Sequence, residues 1–407
     1  MKNNLCRISG NKLIKINNFG KQPLGNGFLY EKDFADEYFF EMETGFCNES
    51  KMFQLLSQPD PNKMFHENYA FYSSTSNKMK DHFKKWSEEI FLSDNFNKNS
   101  FVIELGSNDG IFINNFSEKK IKHLGIEPSK NVADVAINNG NNIITEFFSS
   151  RLADSIIKKH GKADYFFSAN VMCHIPNILD IAAGIEKCLN TKGILSFEDP
   201  YLGDVIKKIT YDQIYDEHVF LFSAHSVENL FNKVGMELIK LEPQKTHGGS
   251  MRYTLGKKNE HKKDDSVHYY FEEEKNNGVD NLDRMLEFNK DVLKSKYELK
   301  KLLKKIKKKK KKIVGYAATS KSTTILNFCD IGPEIIDFIC DTTPIKINKF
   351  SPGKHIPIKD MDEFSSYKAD YALLFAWNHA EEIFEKEKDY SNKYGNWILF
   401  APEARIL

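Results

Sequence analysis

From about residue 86 to residue 255, short apolar runs alternate with amphipathic stretches. Runs at 101–105, 122–126, 164–168, 193–198 and 237–241 have the length and continuity of buried strands, and the segments between them read as helices. Strands alternating with helices predict an α/β fold built on a doubly wound parallel sheet. A second alternation begins with IVGYAATSKSTTILNF at Ile313, again strand, small-residue turn and helix. It continues through 336–338, 351–358 and 369–378, which predicts further strands of a smaller, Rossmann-like C-terminal domain. Between the two, 257–278 is polar and reads as loop. Residues 279–312 carry Leu282, Leu286, Leu293, Leu299, Leu302, Leu303 and Ile306 close to helical spacing. That helix ends in Lys307 to Lys312, where lysines complement the helix dipole and form a solvated face. Residues 1–85 are loop-rich. The expected organisation is therefore a small N-terminal module (1–85), a central α/β domain (86–256), a helical linker (257–312) and a C-terminal domain (313–407).

A chain of 407 residues exceeds what one core normally holds. Lys+Arg 58 against Asp+Glu 57 gives a net charge of +1. A nucleic-acid binder usually carries a clear basic excess, so that class is disfavoured. No run of eighteen apolar residues predicts a membrane span, and MKNNLCRISG has no apolar leader, so a soluble, cytoplasmic protein is expected. Six scattered cysteines suit reduced thiols better than a disulfide framework.

The chemistry concentrates first at FVIELGSNDG (101–110). Here an apolar run passes through Glu104 into a turn containing Gly106, Asn108 and Gly110. Glycines allow a ligand to approach the backbone closely. The pattern E-x-G-x-x-x-G lacks both the G-x-G-x-x-G of a dinucleotide site and the Lys-Ser/Thr of a P-loop. Glu127, in GIEPS, falls at the end of the next strand, where a carboxylate can take both hydroxyls of a ribose. A nucleoside without phosphate fits this combination, and S-adenosylmethionine is the commonest. An ordinary βα turn with a surface Glu would look the same.

Other clusters follow. Asn170 and His174 fall at the predicted carboxyl edge of the sheet, where such folds bind ligands. Tyr215, Asp216, Glu217 and His218 are consecutive near that edge. His247 and Arg252 flank a glycine turn. Thr319 to Thr323, with Lys321, put hydroxyls and a cation at a helix start, a possible phosphate site or a simple N-cap. Tyr69, Tyr72 and Ser73 belong to an aromatic and hydroxyl cluster, either core and cap or a lid over a polar substrate. In the N-terminal module Cys6-x-x-Ser9 and Cys47-x-x-Ser50 supply half of a four-thiolate zinc cage. Serine hydroxyls do not ionise near neutral pH as thiols do, so zinc is doubtful and the module is expected to fold without it.

Together these pieces resemble the sugar C-methyltransferase family, S-adenosylmethionine enzymes that place a methyl branch on nucleotide-linked deoxysugars. The stretches that carry the resemblance are FGKQPLGNGFL (19–29), YAFYSSTS (69–76), VIELGSNDG (102–110), GIEPS (125–129), SANVMCHI (168–175), EDPYL (198–202), YDEH (215–218), HGGSMR (247–252), KFSPGKHIPI (349–358) and LLFAWNHAEEI (373–383). They occur in order over nearly the whole chain. The resemblance implies a zinc-type N-terminal module, a class I methyltransferase domain and a C-terminal domain peculiar to the family. It implies S-adenosylmethionine on Glu104, Gly106, Asn108, Gly110, Glu127 and Asn170, and a nucleotide-sugar substrate near Tyr69, Tyr72, Ser73, His247, Arg252 and Lys321. For the chemistry it implies His218 as the base that removes a C3 proton from a 4-keto sugar. Glu217 would orient that base, Tyr215 would contact the sugar, and Asn170 and His174 would steady the developing oxyanion. No catalytic metal is required, and a monomer or homodimer is expected. Three departures stand out: Ser9 and Ser50 in place of cysteines, YAATSKS where a YGAAAKG-like turn is usual, and TTPIKINKF before the SPG motif. Alternative readings are an O- or N-methyltransferase on a sugar or small metabolite, or an inactive cofactor-binding partner subunit.

Overall fold

The computed structural model describes residues 4–60, 64 and 72–407. In chain order the N-terminal strands are β1 (Ile14–Pro23), β2 (Phe39–Phe46) and β3 (Phe53–Leu55). The central region contributes β4 (Phe101–Leu105), β5 (Lys122–Ile126), β6 (Ile143–Ile144), β7 (Ala163–Ala169), β8 (Leu189–Pro200), β9 (Phe220–Leu221), β10 (Met236–Gln244) and β11 (Ser250–Lys257). The last strands are β12 (Ile313–Tyr316), β13 (Ile339–Cys340), β14 (Ile358–Lys359), β15 (Tyr371–Leu374), β16 (Asn396–Leu399) and β17 (Arg405–Ile406).

Three sheets result. The central one has the order β10-β11-β8-β7-β4-β5-β6, parallel except for β11, which runs antiparallel between β10 and β8. Every residue of β4 is buried, as a strand covered on both faces should be. The C-terminal sheet, β14-β13-β12-β15-β16-β17, is parallel apart from β17. Read from its first strand outward this is a doubly wound order, which opens a crevice at the strand ends beside β12. The N-terminal sheet joins β1, β2 and β3 to β9, a strand that arrives from the central region.

The cores cross these sheets. Cys6, Ile8, Leu13 and Cys47 pack into the same cluster as Ile103, Phe166 and Phe197 of the central sheet. Ile16, Phe40 and Phe53 share a second cluster with the C-terminal sheet and the Leu282–Lys308 helix. That helix buries Met285, Phe288, Val292, Leu299, Leu303 and Ile306. Leu286 and Leu293, expected on its apolar face, are instead exposed. The stripe runs through Met and Phe positions that an all-leucine pattern overlooks. The lysine run is partly a strap, with Lys307 on Asp337 (3.1 Å) and Lys311 on Asp370 (2.8 Å).

Two C-terminal strands differ from expectation. Residues 336–338 precede β13 by one position, and 351–358 forms a turn in which only Ile358 enters a strand. Pro352 and Pro357 have no N–H to donate to a ladder, and Gly353 sits at φ +72°.

Candidate active site

The turn after β4 is built for close approach. Gly106 has φ +70°, and a Cβ there would lie 2.3 Å from Cγ2 of Val171. Only glycine passes. Asn108 continues the turn at φ +48° and Gly110 at φ +87°. At the end of β5 the Glu127 carboxylate accepts from the Asn108 amide (3.0 Å) and from the Ser129 amide (2.8 Å). Burial raises its pKa despite those amides. Glu104 is buried beneath the turn, and burial holds its carboxyl well above the usual range, with Glu127 and Asp109 adding to the effect. The backbone of Ser73 and Ser74 closes over this turn, donating to Asn108 Oδ1 (3.0 Å) and to Asp109 Oδ2 (3.0 Å). Tyr72 accepts from Asn131 (3.0 Å). Tyr72 and Ser73 therefore cover the glycine turn, and Tyr69 lies outside the described residues.

At the other strand ends, Asn170 adopts φ +55° after β7, and its amide donates to the Glu198 carbonyl at 2.7 Å. His174 follows in a short turn, Met172–His174, with burial pushing its pKa down to about 4. Its ring stands 5.1 Å from that of His218. Burial, then His174 and Lys321, hold His218 well below the ordinary histidine value. His218 Nδ1 faces the Gln213 carbonyl at 2.7 Å, which can only accept, so Nδ1 carries the proton. Nε2 is then the acceptor, and the Tyr215 hydroxyl donates to it at 3.0 Å.

Glu217 does not orient His218. Its carboxylate accepts from Asn26 Nδ2 at 2.7 Å, and Asp216 accepts from the Gly25 amide at 2.9 Å. Burial raises both acids, Asp216 to about 7 and Glu217 to about 8. The orienting group is the Gln213 carbonyl. Asn26 also accepts from Ser320 (2.8 Å), and Thr323 donates to the Gly25 carbonyl (2.9 Å). The Leu24–Gly27 turn thus wedges between the Tyr215–His218 loop and the C-terminal domain.

Arg252 is committed elsewhere. It is buried against Glu198 (2.7 Å) and Glu89 (2.8 Å) and lies 4.2 Å from the Trp86 ring, so its guanidinium has no face left for a substrate. The hydroxyls of the 319–323 turn are committed too. Thr319 caps the Ser322 amide, and Ser322, Ser320 and Thr323 bond to protein acceptors. That turn is a cap and an interdomain clasp, not a phosphate cradle. Lys321 remains, with Nζ donating to the His247 carbonyl (3.2 Å) and lying 5.8 Å from the Trp377 ring. Trp377 donates to Asp212 at 2.7 Å. Burial, then Lys321, His379, His82 and His174, push the His247 imidazole down to about 3. Lys321, His379, His82 and His174 thus all lie within electrostatic reach of His247. Pattern reading missed His379 and Trp377, although both lie in FAWNH, and it missed His82 and Gln213.

Three family models match consecutive parts of the chain: "Putative zinc binding domain" over residues 6–65, "Methyltransferase domain" over 79–241 and "C-methyltransferase C-terminal domain" over 245–402. C-methyltransferase NovU of Streptomyces niveus is 28% identical over 409 residues, 99% of this chain and 96% of that one. Part by part and over its full length, the chain is similar to C-methyltransferases. Among solved structures, a SAM-dependent methyltransferase from Anabaena variabilis matches 45% of this chain and 86% of its own chain, at 15% identity and TM-score 0.36. A methyltransferase from Clostridium acetobutylicum matches 44% and 92%, at 8% identity and TM-score 0.35. The central sheet is the class I methyltransferase fold, and the protein is an S-adenosylmethionine-dependent methyltransferase.

The chain's own residues fit that cofactor. Glu104 Oε2, Ser107 Oγ and Asn170 Oδ1 are buried around the turn without a protein hydrogen-bond partner among the described residues. Buried polar atoms of this kind can be satisfied by a ligand or a water. A structural zinc does not fit as well. Cys6 Sγ pairs with Ser50 Oγ (3.0 Å) and Cys47 Sγ with Ser9 Oγ (3.3 Å), so two of the four donors are hydroxyls. Cys173, His174 and His218 bring ligand-type atoms within 4.8 Å of one another. Both nitrogens of His218 are already engaged there, and burial with Asp199 nearby raises the Cys173 thiol. No helix among the described residues is long and apolar enough to cross a membrane.

Proposed function

We propose that the enzyme methylates C3 of a nucleotide-linked 4-keto-deoxysugar through a base-generated enolate. The observation that carries this reading is the hydrogen bond from Tyr215 Oη to the unprotonated Nε2 of His218, with Nδ1 fixed on the Gln213 carbonyl. Carbon is not nucleophilic until a proton leaves it, and a proton beside a ketone leaves to a base in hydrogen-bond reach. In a Tyr–His pair the tyrosine oxygen takes the substrate proton as its own passes to Nε2. Burial keeps His218 neutral, so that Nε2 carries no proton before the transfer. Asn170 and His174, at the same strand ends, are the candidates to hold the keto oxygen as charge develops on it. Bound S-adenosylmethionine supplies an electrophilic methyl group; Glu127, Glu104 and the Gly106–Gly110 turn would hold it.

The nucleotide reading rests on the cation-capable groups gathered around His247. Burial first, then Lys321, His379 and His82, disfavour protonation of His247, and Lys321 also acts on His379. A diphosphate placed among them would reverse that sign. Relatedness to NovU agrees with carbon as the methyl acceptor. The test is incubation with isotopically labelled methyl donor and a panel of nucleotide-linked 4-keto sugars. A carbon-13 signal for a C–CH3 group at C3 supports the reading. An O–CH3 or N–CH3 signal replaces it with heteroatom methylation, which needs no carbon-acid base.

A further inference from the structure

The two N-terminal turns are near copies of one another. Each starts with a cysteine, places a serine three residues later, and turns on a left-handed residue one position beyond: Gly10 at φ +75° and Lys51 at φ +56°. Cys6 Sγ accepts from the amides of Ile8 (3.4 Å) and Ser9 (3.5 Å), the backbone arrangement that wraps a thiolate. The pairing between turns is crossed. Cys6 bonds to the serine of the second turn, and Cys47 bonds to the serine of the first. Both cysteines and Ser50 are buried. Burial acts to raise the Cys47 thiol, yet hydrogen bonds from Ser50, Ser9 and the Glu49 amide outweigh it and lower the value. Four side chains thus point at one centre from two matched turns.

A zinc cage needs four ionisable or basic donors in that position. Two hydroxyls cannot supply them, because an alcohol stays protonated near neutral pH. We infer that the module has exchanged its metal for two crossed thiol–hydroxyl hydrogen bonds, and that the ligand geometry survives the exchange, so that Ser9→Cys with Ser50→Cys restores a tetrahedral zinc site. In a four-thiolate site metal affinity is folding free energy, and losing the metal unfolds the domain. Here nothing is lost with a chelator. Asn229 donates to the Ser50 carbonyl at 3.2 Å, and β3 pairs with β9, so the module is also tied to the central domain by contacts independent of any metal.

Elemental analysis and thermal unfolding of the full-length chain test both halves. Wild-type protein purified without chelator should hold less than about a tenth of an equivalent of zinc, and its melting midpoint should not move with EDTA or added zinc. The Ser9→Cys/Ser50→Cys chain, expressed with zinc, should hold roughly one equivalent and melt higher, with a midpoint that EDTA lowers. Its cobalt form should show a thiolate charge-transfer band. Wild-type protein carrying a full equivalent that resists chelation overturns the exchange. A folded double variant that takes up no zinc or cobalt overturns the preserved geometry. If the double variant does not fold, Ser9→Cys and Ser50→Cys are made singly, and a three-thiolate site showing no cobalt band in either folded variant overturns it equally.

Discussion

The hydroxyl of Tyr215 donates to Nε2 of His218 at 3.0 Å, and no other orientation of the imidazole proton satisfies the Gln213 carbonyl on the far side. Sequence reading gives the substrate proton to His218 and leaves Tyr215 as support. The geometry makes them one hydrogen-bonded unit. Tyr215→Phe and His218→Gln should each lower methyl transfer by about 10²–10⁴ and suppress exchange of the C3 proton with deuterated water. The double variant should be little worse than either single one, because the residues act as a unit. Wild-type exchange in Tyr215→Phe would return the base role to His218 alone. Since His218 is held below its ordinary value, it stays unprotonated into mild acid, and the acid limb of kcat/KM should lie below the usual histidine range.

Glu127 is fixed by two backbone amides before any ligand arrives. Glu127→Ala should weaken S-adenosylmethionine binding roughly tenfold or more, since it removes a charge-assisted acceptor and frees two turn amides. Calorimetry giving wild-type affinity would remove Glu127 from the cofactor site.

Lys321 and His247 predict a proton-linked substrate. Burial pushes Lys321 toward its neutral form against the pull of Asp212, and burial with Lys321, His379, His82 and His174 does the same to His247. A nucleoside diphosphate should draw protons back onto them. Binding of uridine or thymidine diphosphate, measured by calorimetry in buffers of different ionisation enthalpy below pH 7, should show net proton uptake. Lys321→Ala should weaken this binding by about tenfold or more and leave cofactor affinity unchanged. Binding with no proton uptake, or unaffected by Lys321→Ala, would place the diphosphate elsewhere.

The glycine turn, Glu127 and the YDEH cluster are legible in the sequence because each depends on local spacing. Strand, turn and helix follow one another, and a residue four positions away is near in space. What the sequence hides is partnership at long range. Glu217 adjoins His218 in the chain, yet its side chain answers to Asn26, 191 residues away. Arg252 follows a glycine turn like a ligand-binding residue, but Glu198 on the neighbouring strand and Glu89 on the 77–91 helix neutralise it. His379 and His82 both come within electrostatic reach of His247, from distant parts of the chain. Their distance in sequence gives no sign of it.

Asp199 carries a stability prediction. It is buried beside the Cys173 amide, and burial pushes its carboxyl up to about 8. In the unfolded chain the same group loses its proton near pH 4. Between those values the folded state holds more protons, so this group's contribution to stability declines as pH rises through the window. Asp199→Asn cannot ionise and should flatten the decline by up to about 1.4 kcal/mol per pH unit. Asp216 and Glu217, also raised, leave a residual slope. Urea unfolding at pH 5 and pH 7.5 measures it. Parallel slopes for variant and wild type would mean that Asp199 is already ionised.

β3 pairs with β9 through Phe53–Leu221 and Gln54–Phe220, and the Leu55 amide reaches the Val219 carbonyl at 2.8 Å. Val219 is the residue after His218. The backbone that carries the imidazole is therefore completed by a strand belonging to the other end of the chain. A shortened chain beginning at the methyltransferase domain would keep every residue of the Tyr215–His218 pair and lose the edge that sets its position, leaving unpaired donors open to another molecule's strand. Separate family models match these two regions; in this fold the position of the Tyr215–His218 pair is joint property, and joining the central region to a foreign partner has to match β3 to keep it.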